Sequence, residues 1–275
     1  MVNTQMIGLI TVNYNQYQQT KEFLEFLNSV KKAKKAWVYI ADVSSKKEVI
    51  TLKGYQFPVT LEEKENKGYA FAVNCGLNFF LAKGIEKFCV VNNDILFAKD
   101  FLITVEKTFQ KADIFGGKIY YAKGFEYHKE RYQKKDLGKV LWYAGGGFDW
   151  KNALTFHRGV DEVDRGQYDN FEETDFITGC LFCFNKKVVD KVGFWDERYF
   201  LYFEDADYCI RVKKEGFKLY YNPKIVIWHK NAHSTGGVGS KVHQRYQRKN
   251  RLIFGLKYAP FKTKIYLILN YLLGK

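Results

Sequence analysis

The stretch "CVVNNDILFAKD", residues 89–100, runs from an apolar segment straight into two asparagines and an aspartate. Cys89, Val90 and Val91 have the character of a strand buried on both faces. Asn92, Asn93 and Asp94 then end it with short polar side chains of the kind that bond their own backbone and form turns. At the carboxyl end of a parallel strand, however, the same residues lie where open α/β sheets bind ligands. Their oxygens would there form a ledge for a hard divalent cation. Turn and ledge both satisfy this segment alone, so its neighbours must decide.

On either side of it, strands and helices alternate. "IGLITVNY" is β-branched and apolar, and "QTKEFLEFLNSV" puts Phe23, Leu24, Leu27 and Val30 on one helical face. "AWVYIADVSS" predicts a second strand, "VTLEEKE" a third, and "GYAFAVNCGLNFFLAKG" a helix closed by Gly84. Strands joined by helices pair in parallel, which predicts an α/β fold with a mostly parallel, Rossmann-like sheet and flanking helices. Beyond Asp100 a helix over 100–111, strands in "DIFGGKIYYA", "DFITGCLFCFN" and "GFKLYYNPKIVIWHK", and a helix in "DADYCIRVKKEG" are expected. Between them, residues 123–173 read as a long loop, a lid or a binding surface.

The parallel reading gives the polar strand ends a common edge. Asn13 and Asn15 follow the first strand, Asp42 ends the second, Asn66-Lys67-Gly68 follow the third, and Asn92-Asn93-Asp94 end the fourth. Four such ends at one crevice predict a nucleotide whose base and ribose are held by short hydrogen-bonding side chains. The chain has no G-x-x-x-x-G-K-[ST] loop and no G-x-G-x-x-G after a strand. The phosphates therefore need another counter-charge, and a metal at Asp94 is the natural one.

Two further groups carry chemistry. In "YFLYFEDADYCIR", Glu204, Asp205 and Asp207 stand at a predicted helix start among Phe200, Tyr202 and Phe203. The helix dipole favours acids there by up to about 1 kcal/mol, but a carboxylate in a partly apolar pocket also becomes a general base as its pKa rises. His229, at the end of "IVIWH", is either a structural histidine or a second metal ligand.

Composition sets the class. The 275 residues are 47% hydrophobic and 18% aromatic with only 3 prolines, enough for a large core without a proline-rich linker. The 5 cysteines form no regular framework. Cys180 and Cys183 are three apart on a predicted strand and point to opposite faces, so they read as buried thiols in a reducing compartment. The N-terminus lacks signal-peptide character, and "IYLILNYLL" is well short of the roughly 20 residues that span a bilayer. A net charge of +14 favours anionic partners, and it is densest from Lys241 onward, where cations mix with Phe, Tyr, Leu and Ile. That basic arm reads as an amphipathic segment for an anionic membrane surface; packing on the catalytic domain or a homodimer interface are the alternatives.

The order of these motifs resembles glycosyltransferase family 2, inverting enzymes, in its rhamnosyltransferase-like and galactofuranosyltransferase-like branch. "TVNYN", "ADVSS", "ENKGYAFAVNCG", "VVNNDILF", "DFITGC", "GFWDERYFLYFEDADYCIR" and "RYQRKNRL" stand in the family's sequence. Asn92 stands where its D-x-D-type motif begins with aspartate, and Val43 where asparagine is usual. The resemblance implies a GT-A fold: residues 1–100 bind the nucleotide sugar, 101–240 the acceptor, and 241–275 form the basic arm. It implies Mg²⁺ or Mn²⁺ on Asp94 and His229, and Asp205 as general base. Glu204, Asp207, Trp195, Thr178 and Gly179 would bind the acceptor or support Asp205. Asn13, Asn15, Asp42, Asn66, Lys67, Gly68, Asn92 and Asn93 would hold the donor. It further implies a dTDP- or UDP-linked hexosyl donor, rhamnosyl or galactosyl, and a glycan acceptor, lipid-linked in many relatives, in cell-surface polysaccharide synthesis. The site would be cytoplasmic, on the inner face of the membrane. The rivals are a sugar-nucleotide nucleotidyltransferase, whose glycine- and lysine-rich loop "TVNYNQYQQ" does not supply, and a nucleic-acid-binding protein, which the acidic cluster argues against.

Overall fold

The computed structural model describes residues 6–231 and 241–273. Expectations that fall on residues 1–5, 232–240 and 274–275 lie outside the described residues.

Apolar, β-branched runs form β1 (Ile7–Asn13), β2 (Ala36–Asp42) and β3 (Val59–Glu63), with α1 (Tyr17–Asn28) and α2 (Tyr69–Ala82) as crossovers. Next come β4 (Lys87–Val91), β5 (Ile95–Phe97), α3 (Phe101–Thr108) and β6 (Ile114–Tyr121). The stretch expected to be one long loop instead contains β7 (Leu141–Tyr143), a hairpin of β8 (Gly146–Asp149) and β9 (Leu154–His157), and β10 (Glu172–Glu173). The chain continues through β11 (Leu181–Asn185), α4 (Lys186–Val192), α5 (Glu204–Lys214), β12 (Tyr220–His229), α6 (Lys241–Tyr258) and α7 (Phe261–Leu272).

Sheet order explains how distant motifs meet. The strands run β10-β12-β6-β11-β4-β1-β2-β3, with β5 added to β12 and β7 to β6. β3, β2, β1 and β4 are parallel, so their polar carboxyl ends share an edge, and Asn13 lies in register with Asp42. β11 is antiparallel to both β4 and β6, and β12 is parallel to β6. β12 therefore points the same way as β4 and delivers His229 to the edge carrying Asn92–Asp94. The reversed β11 begins at that edge, which brings Thr178 and Gly179 there too. β5 closes the corner by pairing Ile95 with His229.

The strand expected over "DFITGCLFCFN" begins only at Leu181, because the preceding residues turn into the cleft. Cys180 lies in that turn, while Cys183 sits opposite Cys89 with the sulfurs 3.0 Å apart and both thiols free.

The C-terminal arm is a helical hairpin laid against the domain. Phe254 stacks on Phe148 and Trp150, Arg251 Nε donates to the Asn152 carbonyl at 2.7 Å, and Thr263 donates to the Trp150 carbonyl at 3.0 Å. Gly255 permits the close α6–α7 approach, since a Cβ there would lie 2.0 Å from the Leu267 side chain. α7 packs through Thr263 and Leu267, and the opposite side exposes Phe261, Ile265, Ile268 and Leu272. At 3.6 residues per turn those four fall on one stripe. Among the described residues no helix is long and apolar enough to cross a membrane.

Candidate active site

A cleft of about 1190 Å³ opens at the polar edge of the sheet. Asn66, Gly68, Asn92, Asn93, Asp94, Thr178, Gly179, Glu204, Asp205 and His229 all line it. The two acidic centres singled out in the sequence, Asp94 and Asp205, thus face one cavity.

Asp94 directly precedes β5 and His229 ends β12, both buried, with His229 Nε2 3.1 Å from Asp94 Oδ1. Two donors bound at right angles to one small divalent ion, each at about 2.1 Å, stand roughly 3.0 Å apart. The pair fits that arrangement. Among the described residues no group of three or more His, Cys, Asp or Glu gathers to hold a metal. An ion here would take its remaining positions from water and from the donor's phosphates, as Mg²⁺ does when held by one or two protein ligands. His229 meets Trp142 edge to face, ring centres 4.7 Å apart, and its Nδ1 has no hydrogen-bond partner among the described residues.

His157 meets the same indole, ring centres 4.5 Å apart, and lines the cleft. Its Nδ1 lies 3.0 Å from the Trp142 carbonyl. A carbonyl only accepts, so that nitrogen carries the hydrogen and Nε2 keeps its lone pair. Burial, with a smaller push from His229, brings its pKa down to about 4, so the ring stays neutral at physiological pH.

The start of α5 also lines the cleft. Tyr202 and Phe203 both adopt left-handed backbone, φ 70° and 71°, a conformation that costs a bulky residue on the order of 1–3 kcal/mol. Surrounding contacts hold the turn: Asn250 on α6 is buried and donates through Nδ2 to the carbonyls of Leu201 at 2.8 Å and Tyr202 at 3.0 Å. Opposite Phe200, Gly68 (φ 104°) leaves room for the Tyr69 N–H to reach the Phe200 carbonyl at 2.7 Å; a Cβ there would come within 2.4 Å of that oxygen.

This turn aims Glu204 and Asp205 at the cleft. Asp205 Oδ2 accepts from the Gly179 N–H and Oδ1 from the Ala206 N–H, both at 2.8 Å. Burial raises the Asp205 pKa to about 6, against the opposing pull of those backbone donors. Glu204 is pushed well above the usual carboxylate range, by burial first and by the Asp205 charge second, and its Oε2 has no partner among the described residues. Burial disfavours the charged form of both carboxyls, and at Glu204 the Asp205 charge adds to it, which sets the two neighbours apart. Paired acids separated in this way are a signature of acid–base sites.

Not every residue expected at the site reaches the cleft. Asp207 is fully buried on the far side of α5, bonding Lys257 at 2.6 Å, Tyr258 at 2.7 Å and Arg211 at 2.7 Å, which ties α5 to α6. Trp195 lies beneath Gly179, stacked on Tyr208. Asn13 and Asp42 form a buried network behind the cleft edge: Asn13 Nδ2 donates to Asp42 Oδ1 and Ser44 Oγ at 3.1 Å each, and the Tyr17 hydroxyl donates to Asp42 Oδ2 at 2.8 Å. Burial alone would raise the Asp42 pKa, but Ser44, Tyr17 and Lys47 hold it below the usual value. Asn15 clasps Ser44, Ser45 and Lys46, and Lys67 points to solvent, pairing with Glu65 at 3.1 Å.

Several lining residues were not anticipated. Val12, Tyr14, Gln16 and Val43 border the donor edge, and Tyr121, Tyr127, Trp142 and His157 come from β6 and the segments after it. Tyr69 spans the site, its hydroxyl 3.2 Å from Asn92 Oδ1 and 3.3 Å from the Gly179 carbonyl. Arg245, Tyr246 and Gln247 enter from α6, whose "RYQRKNRL" carries part of the family resemblance but gives no sign of reaching the cleft.

The family model described as glycosyltransferase-like family 2 matches residues 87–255. Over 61 residues the chain is 38% identical to an N-acetylglucosaminyl-diphospho-decaprenol L-rhamnosyltransferase of Mycobacterium tuberculosis, a segment that is 22% of this chain and 20% of that protein. The fold is similar to a crystal structure of GalNAc-T7 with UDP, GalNAc and Mn²⁺ (TM-score 0.64, 15% identity, 88% of this chain and 48% of the other). It is also similar to the mannosyltransferase PcManGT from Pyrobaculum calidifontis in complex with GDP-Man and Mn²⁺ (TM-score 0.54, 14% identity, 96% and 69%). The architecture is accordingly of the GT-A type.

Proposed function

The chain belongs to glycosyltransferase-like family 2 and is a glycosyltransferase; from that premise we propose that it moves a hexosyl unit from a nucleoside diphosphate sugar to a glycan hydroxyl with inversion, Asp205 acting as general base. The observation that carries this reading is the shared cleft, which the Asp94–His229 pair and the pKa-raised Asp205 both line.

In this mechanism the donor lies along the edge from Val12 to Asn93, its diphosphate at Asp94 and His229. A divalent cation bound there, Mg²⁺ or Mn²⁺, would supply Lewis-acid stabilisation of the departing diphosphate. The Asp205 carboxylate accepts the proton of the acceptor hydroxyl. That oxygen bonds to the anomeric carbon as the bond to the diphosphate oxygen breaks and its electron pair leaves with the nucleoside diphosphate. Gly179 and Ala206 hold Asp205 in place, so little reorganisation is needed as the proton arrives. Glu204, whose charged form burial disfavours, lines the cleft beside Asp205, where it can bind the acceptor.

The finer assignments follow the resemblance and the rhamnosyltransferase relative: a rhamnosyl or galactosyl donor on dTDP or UDP, and a lipid-linked acceptor in cell-surface polysaccharide synthesis. The exposed apolar stripe of α7 supports peripheral attachment to the inner face of the membrane, since amphipathic helices bury such faces at the lipid boundary. Incubation with a panel of sugar nucleotides, with Mg²⁺, with Mn²⁺ and with EDTA, tests the proposal through release of nucleoside diphosphate. Metal-dependent release from at least one donor is expected. Release from none, or pyrophosphate formation from a nucleoside triphosphate and a sugar phosphate, would refute it.

A further inference from the structure

A second cavity, of about 630 Å³, lies between α6 and α7. Lys241, Arg245, Arg248 and Arg251 line it, and none of the four forms an ion pair among the described residues. No Asp or Glu follows Glu215 in the sequence, so this end of the chain has no carboxylate side chain of its own to neutralise them. Arg248 is held in place, donating to the Tyr271 carbonyl with its guanidinium 5.0 Å from that ring, while its buried Nε has no partner. Arg251 is fixed through Asn152. Uncompensated guanidinium groups held in a concave site are suited to phosphate oxygens, which they bind through paired N–H donors.

Two neighbours identify the ligand. Leu154, Arg245 and Gln247 line both this cavity and the catalytic cleft, so the two are adjoining chambers. On its other side the cavity is walled by Leu267, Asn270 and Tyr271 of α7, the helix whose outer face exposes Phe261, Ile265, Ile268 and Leu272. A ligand spanning this arrangement has a sugar in the cleft, a multiply charged anionic group beside it and a long apolar chain beyond. We infer that the basic cavity binds the diphosphate of a lipid-diphosphate-linked acceptor, with the lipid chain leaving along α7. This rests on the transferase reading and specifies its acceptor: the cleft selects the sugar, and the α6–α7 cavity selects what the sugar is attached to.

The test is binding to the full chain in EDTA without donor, using farnesyl diphosphate, farnesyl monophosphate, inorganic pyrophosphate and farnesol as probes. Wild type is expected to bind farnesyl diphosphate at least about tenfold more tightly than any other probe. The variants Lys241→Gln and Arg248→Gln, singly and together, are expected to weaken it by about tenfold or more while leaving donor hydrolysis unchanged. Equal binding of pyrophosphate would make this a bare anion site, and equal binding of the monophosphate a site for any anionic amphiphile. Either result overturns the proposal, as does unchanged affinity in both variants where circular dichroism shows them folded. Because the probe affinities are read without turnover, failure of the transferase assay leaves the binding measurement valid, and failure here leaves the transferase assay untouched.

Discussion

Replacing Asp205 by asparagine preserves its size and removes its capacity to take a proton, so it separates chemistry from architecture. The wild-type carboxyl titrates at about 6 instead of the ordinary 3.8. The ionised fraction then climbs from roughly one in eleven at pH 5 to roughly ten in eleven at pH 7, and kcat/KM should rise about tenfold over that interval. Loss of a general base lowers turnover by about 10²–10⁴, and the variant should show no inflection near pH 6. Stability should move the other way. A folded pKa above the unfolded one means that the native state holds the proton more tightly, so wild type loses stability as pH rises from 3.8 to about 6. At about 1.4 kcal/mol per unit that amounts to about 3 kcal/mol. The asparagine escapes this loss, but its amide turns an N–H toward one of the two backbone donors, a mismatch of about 1–2 kcal/mol. The mismatch hardly depends on pH, so comparing urea unfolding at pH 4 and pH 8 isolates the charge. Relative to wild type, the variant should gain about 2 kcal/mol between the two, since at pH 4 the unfolded carboxyl is already more than half ionised. Turnover above about a tenth of wild type, or no relative gain in stability, would refute the reasoning.

Other consequences follow from the same geometry. Asp94→Ala should abolish the gain in nucleoside diphosphate affinity that Mn²⁺ confers; titration calorimetry with Mn²⁺ and with EDTA checks this, and an undiminished gain counts against the Asp94–His229 pair. Asn250→Ala removes two hydrogen bonds that hold the strained turn before α5. It should cost about 1–3 kcal/mol of stability and lower kcat more than it changes donor KM; unchanged kcat in a folded variant would show that the turn needs no such clamp. Ile265→Glu with Leu272→Glu places charge on the exposed stripe of α7, away from the cleft. Flotation with anionic phospholipid vesicles should be lost while donor hydrolysis persists, and equal flotation would remove the membrane role.

The parallel half of the sheet was legible because its signals are local: "IGLITVN" and "AWVYIAD" each end in a polar residue, and helical faces separate them. The reversal at β11 was not legible, since Leu181–Phe184 is buried on both faces and such a run reads the same in either direction. Yet that reversal brings Gly179 to Asp205. The hairpin β8–β9 lies inside the stretch expected as loop, although Asp149–Asn152 has turn chemistry and Leu154–His157 alternates apolar with polar residues. Asp207 could have been separated from Asp205 on the sequence alone, because two residues on a helix are about 200° apart and cannot share a face. The left-handed Tyr202 and Phe203 left no trace, since aromatic side chains carry no preference for that backbone. Arg245 and Tyr246 reach the cleft only because α6 folds back across the domain, which a basic arm does not disclose.

The central claim is that one sugar, held in the cleft between Asp94 and Asp205, is displaced in a single step. Proton NMR of the first-formed product, with the donor identified from the panel, reads the anomeric configuration directly. A product of opposite configuration to the donor is the result this mechanism predicts. A product that retains the donor's configuration would require a second displacement and would contradict it.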